Sequence, residues 1–243
     1  MSAARAARRT TLRALTAAVF AALTLTGTAG AASTDPQVQI AAADQSWATS
    51  MLLNSSDLGR GWAAVSAWSD PSSGSGHSSC PVPDESDLTV TGSGSSPDFI
   101  RGNNGWAAST ARVWQSGAQA QADWDRTVQP NLLTCTAADF QAASTKKVKV
   151  VVAGKRELDF AGVAPRAAAY RISLAYKFTV KRGNRPKKMS VPATFDFVFL
   201  GNGRASVVFA TLSLKTRPPA QASIQSLAQK LAQRMASDPT PAP

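Results

Sequence analysis

Hydrophobic positions in the last third of the chain fall on alternate residues. In Thr194-Phe195-Asp196-Phe197-Val198-Phe199-Leu200 three phenylalanines recur every second position, so an extended strand places their rings on one face. Gly201-Asn202-Gly203 permits a tight reversal. Arg204 to Leu214, rich in Val, Phe and Thr, returns as a second arm. Upstream, Ala167 to Val180 carries Tyr170, Ile172, Leu174, Tyr176 and Phe178 on even positions and predicts a long strand with one apolar face. A basic turn from Lys181 to Lys188, with Gly183-Asn184 as a hairpin signal, joins it to the phenylalanine strand. These arms predict an antiparallel meander. Lys146 to Val152 alternates Lys with Val and predicts another strand with one wet face, and Gly154 to Pro165 reads as a connector. Gly105 to Gln115 is a further strand. Trp106, Ala108, Thr110, Arg112 and Trp114 lie on one side of it, and Ala107, Ser109, Ala111 and Val113 on the other.

A different period marks the helices. Ile224, Leu227, Ala228, Leu231, Ala232 and Met235 follow i, i+3, i+4, i+7 spacing and predict a helix over 220–236. It follows the phenylalanine hairpin directly and is the expected cover for the three rings. Ser116 predicts a helix over 116–129, with Gln119 as its capping-box partner and Ala120, Trp124, Val128 and Leu132 as its buried stripe. Pro130 ends or kinks it, and Cys135 closes the unit. Asp44 to Leu53 predicts a short helix capped by Asp44, with Trp47 and Met51 on its apolar side. Trp62 begins an extended piece that includes Trp68. Asp70 to Ser96 is dense in Ser, Gly, Pro and Asp and reads as a long loop holding His77 and Cys80. The fold class expected is α+β: an antiparallel β-sheet, with a long C-terminal meander, packed on one face against two or three helices.

Four arginines, an apolar run too short to span a bilayer and Ala29-Gly30-Ala31 make residues 1–31 a secretory signal peptide. The Arg8-Arg9 pair hints at a twin-arginine route, but no bulky apolar residue follows at the expected offset, so the general secretory route is favoured. Residues 32–43 read as a mobile lead-in, 44–237 as a single α+β domain and 238–243 as a Pro-rich tail. The expected location is secreted, extracellular or cell-wall associated. Cys80 and Cys135 are the only cysteines, and an exported chain favours their pairing in one disulfide.

Charge changes the picture most. Residues 32–145 hold 4 basic and 11 acidic residues, whereas 146–243 hold 18 basic and 4 acidic. The halves should attract each other, which favours one bilobed domain. The surplus leaves a basic face suited to anionic envelope polymers, lipid headgroups or an acidic partner. Lys181, Arg182, Arg185, Lys187 and Lys188 form the strongest candidate anion or partner site. A solvated hairpin tip that protects a strand edge is its structural alternative. No aromatics interleave this cluster, which argues against single-stranded nucleic acid, and no nucleic-acid partner is expected.

Signatures of hydrolases and transferases are mostly missing: no G-x-S-x-G elbow, no Walker-type glycine loop, no paired-His metal site. Ser144-Thr145-Lys146-Lys147 matches S-x-x-K but runs into a strand instead of opening a helix. His77, near Asp84, Glu85 and Asp87, reads as a solvated loop histidine. All six tryptophans precede residue 125. Their packing role is set against an aromatic-lined ligand cleft formed by Trp62, Trp68 and Trp106, which flank glycine-rich stretches.

The segment order is also informative. Leu52-Leu53-Asn54-Ser55-Ser56-Asp57-Leu58-Gly59-Arg60-Gly61-Trp62 precedes a Cys-bearing loop. A strand-plus-helix unit through Ala111-Arg112-Val113-Trp114-Gln115-Ser116-Gly117-Ala118-Gln119-Ala120 then ends in Cys135, before the meander and C-terminal helix. This resembles the exported sensor-domain proteins of actinobacteria, which are similar to the extracellular domain of the mycobacterial serine/threonine kinase H. The resemblance implies an antiparallel sheet packed by helices, a cleft, disulfides and ligand binding without catalysis. It carries over Cys80 and Cys135 as the bridge and no ligand residue.

The expectation is therefore an exported, non-catalytic domain that binds a small ligand or an anionic cell-envelope component in a cleft. A secreted hydrolase of unrecognised type, or a protein-docking module acting through the basic hairpin tip, is the alternative. No cofactor and no metal are expected. Peripheral contact with an anionic membrane surface is a further option, and the expected state is a monomer.

Overall fold

The computed structural model describes residues 34–65, 79–182, 185–214 and 218–237. The expected signal peptide, Trp68, His77 and the Pro-rich tail lie outside them. Nine strands are present among these residues: β1 (Gln37–Val38), β2 (Ala63–Val65), β3 (Thr89–Ser95), β4 (Asp98–Arg101), β5 (Gly105–Trp114), β6 (Val148–Leu158), β7 (Arg166–Arg182), β8 (Arg185–Asn202) and β9 (Ala205–Ser213). The helices are α1 (Ala42–Ser50), the single turn α2 (Ser55–Leu58), α3 (Gly117–Thr127), α4 (Leu132–Ala142) and α5 (Gln221–Met235). The strands form one mixed, mostly antiparallel sheet in the order β1-β3-β5-β9-β8-β7-β6, with β4 pairing β5 and β2 off that path. Only the short β1–β3 pairing is parallel among the described strands. The fold class is α+β, as the two hydrophobic periods predict.

The predicted meander is β7-β8-β9. β7 and β8 pair from Arg166 opposite Gly201 to Arg182 opposite Arg185. β8 is buried on both faces from Ala193 to Gly201, which requires cover on both sides. Phe195, Phe197 and Phe199 enter one core with Tyr170, Ile172, Leu174 and Tyr176, beneath Ala137 and Phe140 of α4. The rings of Phe140 and Phe195 meet edge to face, 5.0 Å between centroids. Val198 and Leu200 enter the opposite core with Val207 and Phe209, covered by Trp47 of α1, by Met51 at its C-cap and by Ile224, Leu227 and Leu231 of α5. Each fully buried side chain of this size contributes about 2 kcal/mol. The C-terminal helix therefore does not cover the phenylalanines. It covers the other face, and α4 with the flank of α3 takes the aromatic side. Two helices on one face is corrected to helices on both.

Four local expectations also change. The lead-in is tied to the sheet: Gln37 N donates to Leu88 O at 2.8 Å, Gln39 N to Val90 O at 2.9 Å and Ala41 N to Thr91 O at 2.8 Å. The long loop ends early, because its last residues form β3 in the sheet between β1 and β5. Gly92 permits this. A Cβ there would overlap the backbone of Asp44 and Gln45, so only glycine lets α1 lie against β3. Residues 132–142, read only as the end of a unit, are helix α4. β6 extends to Leu158 through a bulge between Val152 and Gly154, into the stretch read as a connector.

Asp44 does not cap α1. The N-cap is Ala41, and Asp44 sits buried in the first turn. Its two oxygens accept from Arg204 at 3.0 Å each, and one also accepts from the Thr91 hydroxyl. The Arg204 hydrogen bonds hold its carboxyl below the ordinary range. Asp57 likewise pairs with Arg234 of α5 at 2.5 and 2.9 Å. Both pairs join the acidic half to the basic half, as the charge split predicts. Ser116 caps α3 by accepting from Gln119 N at 3.2 Å. The Gln119 side chain does not complete the box; its oxygen accepts from Thr89 N at 2.9 Å and ties α3 to β3.

Candidate anion-binding site

Strand register builds the site. On the face shared with α1 and α5, the apolar row Leu158-Ala169-Val198-Phe209 crosses four strands. The next row outward is Arg156-Arg171-Asp196-Thr211. There Arg171 grips Asp196 bidentately at 2.6 and 2.9 Å, with Asp196 fully buried. Burial pushes the Asp196 carboxyl up, and Arg171 opposes that shift. Beyond it come Gly154-Ser173-Thr194, then Val151-Ala175-Pro192, then Lys149-Lys177-Ser190, and finally Thr179 opposite Lys188. One face of the sheet thus begins at an apolar core row and a buried ion pair and ends, over one strand length, in a row of lysines.

β9 reaches only to Ser213 opposite Thr194, and β6 begins at Val148 opposite Phe178. The outer ends of β7 and β8 therefore run on as a two-stranded ribbon. Pro186 and Pro192 lie on the part of β8 that β9 does not pair, where a missing N–H disturbs no ladder if it faces outward.

Thr145, Lys146, Lys147, Lys149, Lys177, Thr179, Lys188 and Ser190 line an open groove of about 640 Å³ together with Phe178 and Met189. All five lysines are exposed and none has a carboxylate partner among the described residues. No acidic residue occurs between Asp139 and Glu157 or between Asp159 and Asp196. Lys149 and Lys177 stand directly opposite each other across β6 and β7, a like-charge arrangement that costs up to about 1 kcal/mol.

Of the predicted cluster, Lys188 lines this groove. Lys187 and Arg185 are exposed on β8, opposite Val180 and Arg182, and Lys181 lies opposite Pro186. Lys146, Lys147, Lys149 and Lys177 were not in that cluster. Their signal was the Lys–Val alternation and the acid-free stretches. What sequence could not supply was the β6–β7 register that sets Lys149 against Lys177.

The tryptophan cleft does not assemble from the two described rings. Trp106 is 2% exposed in the core beneath α4, so it lines no open cleft: its alternate position points it into the packed face. Trp62 is half-buried against the opposite core, close over Gly105, where a Cβ would come within 3.0 Å of its ring. The two rings lie on different faces of the sheet.

Cys80 and Cys135 form a disulfide with 4.9 Å between Cα atoms, tying the segment before β3 to α4. Closing 55 residues contributes about 4 kcal/mol in the chain-entropy model. A smaller groove of about 320 Å³ lies between α4 and β6, where Lys155 donates to the Thr134 hydroxyl at 2.7 Å. The Ser144 hydroxyl donates to Gln141 O at 2.7 Å and accepts from Val150 N at 3.0 Å, fastening the α4–β6 turn. Asp123 of α3 is buried, and its carboxyl is pushed up to about 6, first by burial and then by the charge of Glu85. Glu85 itself pairs with Arg112 at 2.9 Å. Among the described residues no group of three or more His, Cys, Asp or Glu could hold a metal ion. None of the described helices is long and apolar enough to cross a membrane.

No family model matches the chain, and no curated protein matches it. Among solved structures it is similar to the extracellular domain of PknH from Mycobacterium tuberculosis, with 9% sequence identity and a TM-score of 0.40, over 80% of this chain and 98% of that chain. The resemblance read from the order of segments returns here as a weak fold-level likeness, from which neither family nor ligand follows.

Proposed function

We propose that the chain is an exported, non-catalytic binding domain that takes an anionic cell-envelope component on the basic end of its β7–β8 hairpin. One observation carries this reading. Five lysines from the loop before β6 and from β6, β7 and β8 line one open groove with no carboxylate partner among the described residues. Holding like charges opposite each other is unfavourable for the fold alone, and a bound anion relieves it. The disulfide is compatible with an extracellular location. The non-catalytic reading is supported by the commitment of the polar groups elsewhere. Asp123 is enclosed, and Ser144 fastens a turn.

The test is co-sedimentation with an anionic wall-polymer fraction and with an uncharged polysaccharide at increasing salt. Binding should be confined to the anionic polymer and fall steeply with salt. Lys149→Gln/Lys177→Gln/Lys188→Gln should weaken it at least about tenfold, because several charge-assisted contacts are lost together. Equal binding by the triple variant would sink the proposal, as would equal binding to the uncharged polymer. A hydrolytic activity abolished by His77→Ala would instead support the enzyme reading.

A further inference from the structure

We infer that the anion is a linear polyanion, a chain of phosphate or similarly spaced anionic groups lying along the β6–β7–β8 face from Lys149 toward the hairpin tip; this deepens the proposed function and rests on it. Spacing is the first ground. Lys149 and Lys177 share one row and Lys188 stands in the next, about 6.6 Å further along the strands. Lys181 follows at the next register position on that face, opposite Pro186. A single phosphate engages one row and leaves the others unused, whereas a chain engages them in succession.

Residue type is the second ground. The charged lining of the groove is five lysines, beside the hydroxyl-bearing Thr145, Thr179 and Ser190 and the apolar Phe178 and Met189, with no arginine among them. Lysine is a rotatable point charge suited to multiple flexible contacts. Fixed recognition of one anion favours the bidentate arginine fork. Openness is the third. All five lysines are exposed, while a small ligand in a dedicated pocket is mostly enclosed.

A bilayer fits less well. Lys181 to Lys188 contains no aromatic or large aliphatic residue to enter a membrane interface. Phe178 and Met189 also line the groove, but they pair with each other across β7 and β8 and both are half-buried, which leaves no apolar side chain standing free to enter an interface there.

The experiment measures binding of the mature full chain to inorganic phosphate, tripolyphosphate, long-chain polyphosphate and vesicles of phosphatidylcholine with phosphatidylglycerol. Affinity should rise about a hundredfold or more from phosphate to the long chain, through multivalency. With five lysines engaged, the slope of log K against log salt should reach roughly −3 to −4 for the long chain. The Lys149→Gln/Lys177→Gln/Lys188→Gln variant should lose about two units of that slope, while its melting curve stays at or above that of the wild type. Equal affinity for phosphate and the long chain overturns the linear polyanion and leaves the binding reading standing. Vesicle binding without chain binding overturns it in favour of a membrane surface. Failure of every anionic probe, vesicles included, overturns both.

Discussion

Replacing Asp123 by Asn should stabilise the protein at neutral pH and leave it unchanged near pH 4. Asp123 lies buried on α3, with the Glu85 carboxylate, the Arg112 and Arg166 guanidinium groups and the Thr127 hydroxyl as its electrostatic surroundings. Burial and Glu85 outweigh the cations and raise its carboxyl from 3.8 to about 6. The folded state therefore holds a proton that the unfolded chain releases between these values. The resulting stability is fully present below about pH 4 and is lost as pH rises through 6. Two pKa units correspond to about 3 kcal/mol. Asn keeps the shape and cannot ionise, so it escapes that loss. Urea unfolding followed by circular dichroism at pH 4, 5, 6 and 7 reads the difference directly. With a slope of about 2 kcal/mol per molar urea, the variant's midpoint at pH 7 should exceed the wild type's by about 1 to 1.5 M, with coincidence at pH 4. A difference independent of pH, or a less stable variant at pH 7, would refute the assignment of a strained buried carboxyl.

Arg171→Met should destabilise by about 3 to 5 kcal/mol by leaving Asp196 charged and buried, while Arg171→Met/Asp196→Leu should recover most of the loss. A single variant that unfolds within 1 M urea of the wild type would contradict the buried pair. Gly92→Ala should lower stability by about 1 to 3 kcal/mol or more by forcing α1 off β3, and a thermal melt unchanged from the wild type would refute that close approach. Lys149→Glu should move two observables in opposite directions. It places a carboxylate opposite Lys177 and should raise stability by about 0.2 to 1 kcal/mol, while weakening polyphosphate binding; a parallel change in both would count against the groove.

Much of the fold was legible where one period dominates. The alternation of Tyr170 to Phe178 and the helical spacing of Ile224 to Met235 fix β7 and α5 to within a few residues, and that of Phe195 to Phe199 fixes the end of β8; its start is missed by nine residues, because Arg185 to Lys188, read as a basic turn, are already paired to β7. What was lost is explained by packing. Val198 and Leu200 make β8 apolar on both faces, so adjacency in sequence did not decide which face α5 covers. Asp44 looked like a helix cap because its partner Arg204 lies 160 residues away. β3 hid behind Gly92, Gly94 and the serines, whose small size is the price of a helix lying on the strand. α4 starts without a side-chain cap, and Pro130 suggested an ending. The tip lysines were visible as a run, but the groove required a pairing register broken by the bulge at Val152–Gly154, which alternation alone could not anticipate.

The pairing of the first helices with the last elements sets the order in which the molecule can be completed. Asp44 waits for Arg204, Asp57 for Arg234, and β5 for β9, its neighbour in the middle of the sheet. A chain emerging from its N-terminus cannot close the core beneath α1 until residues up to Met235 have appeared, because Ile224, Leu227 and Leu231 form part of that core. Folding is thus deferred to the end of emergence and dominated by distant contacts, which makes it slow. Until then the edge of β5 that β9 pairs and the face of α1 that α5 covers stay open.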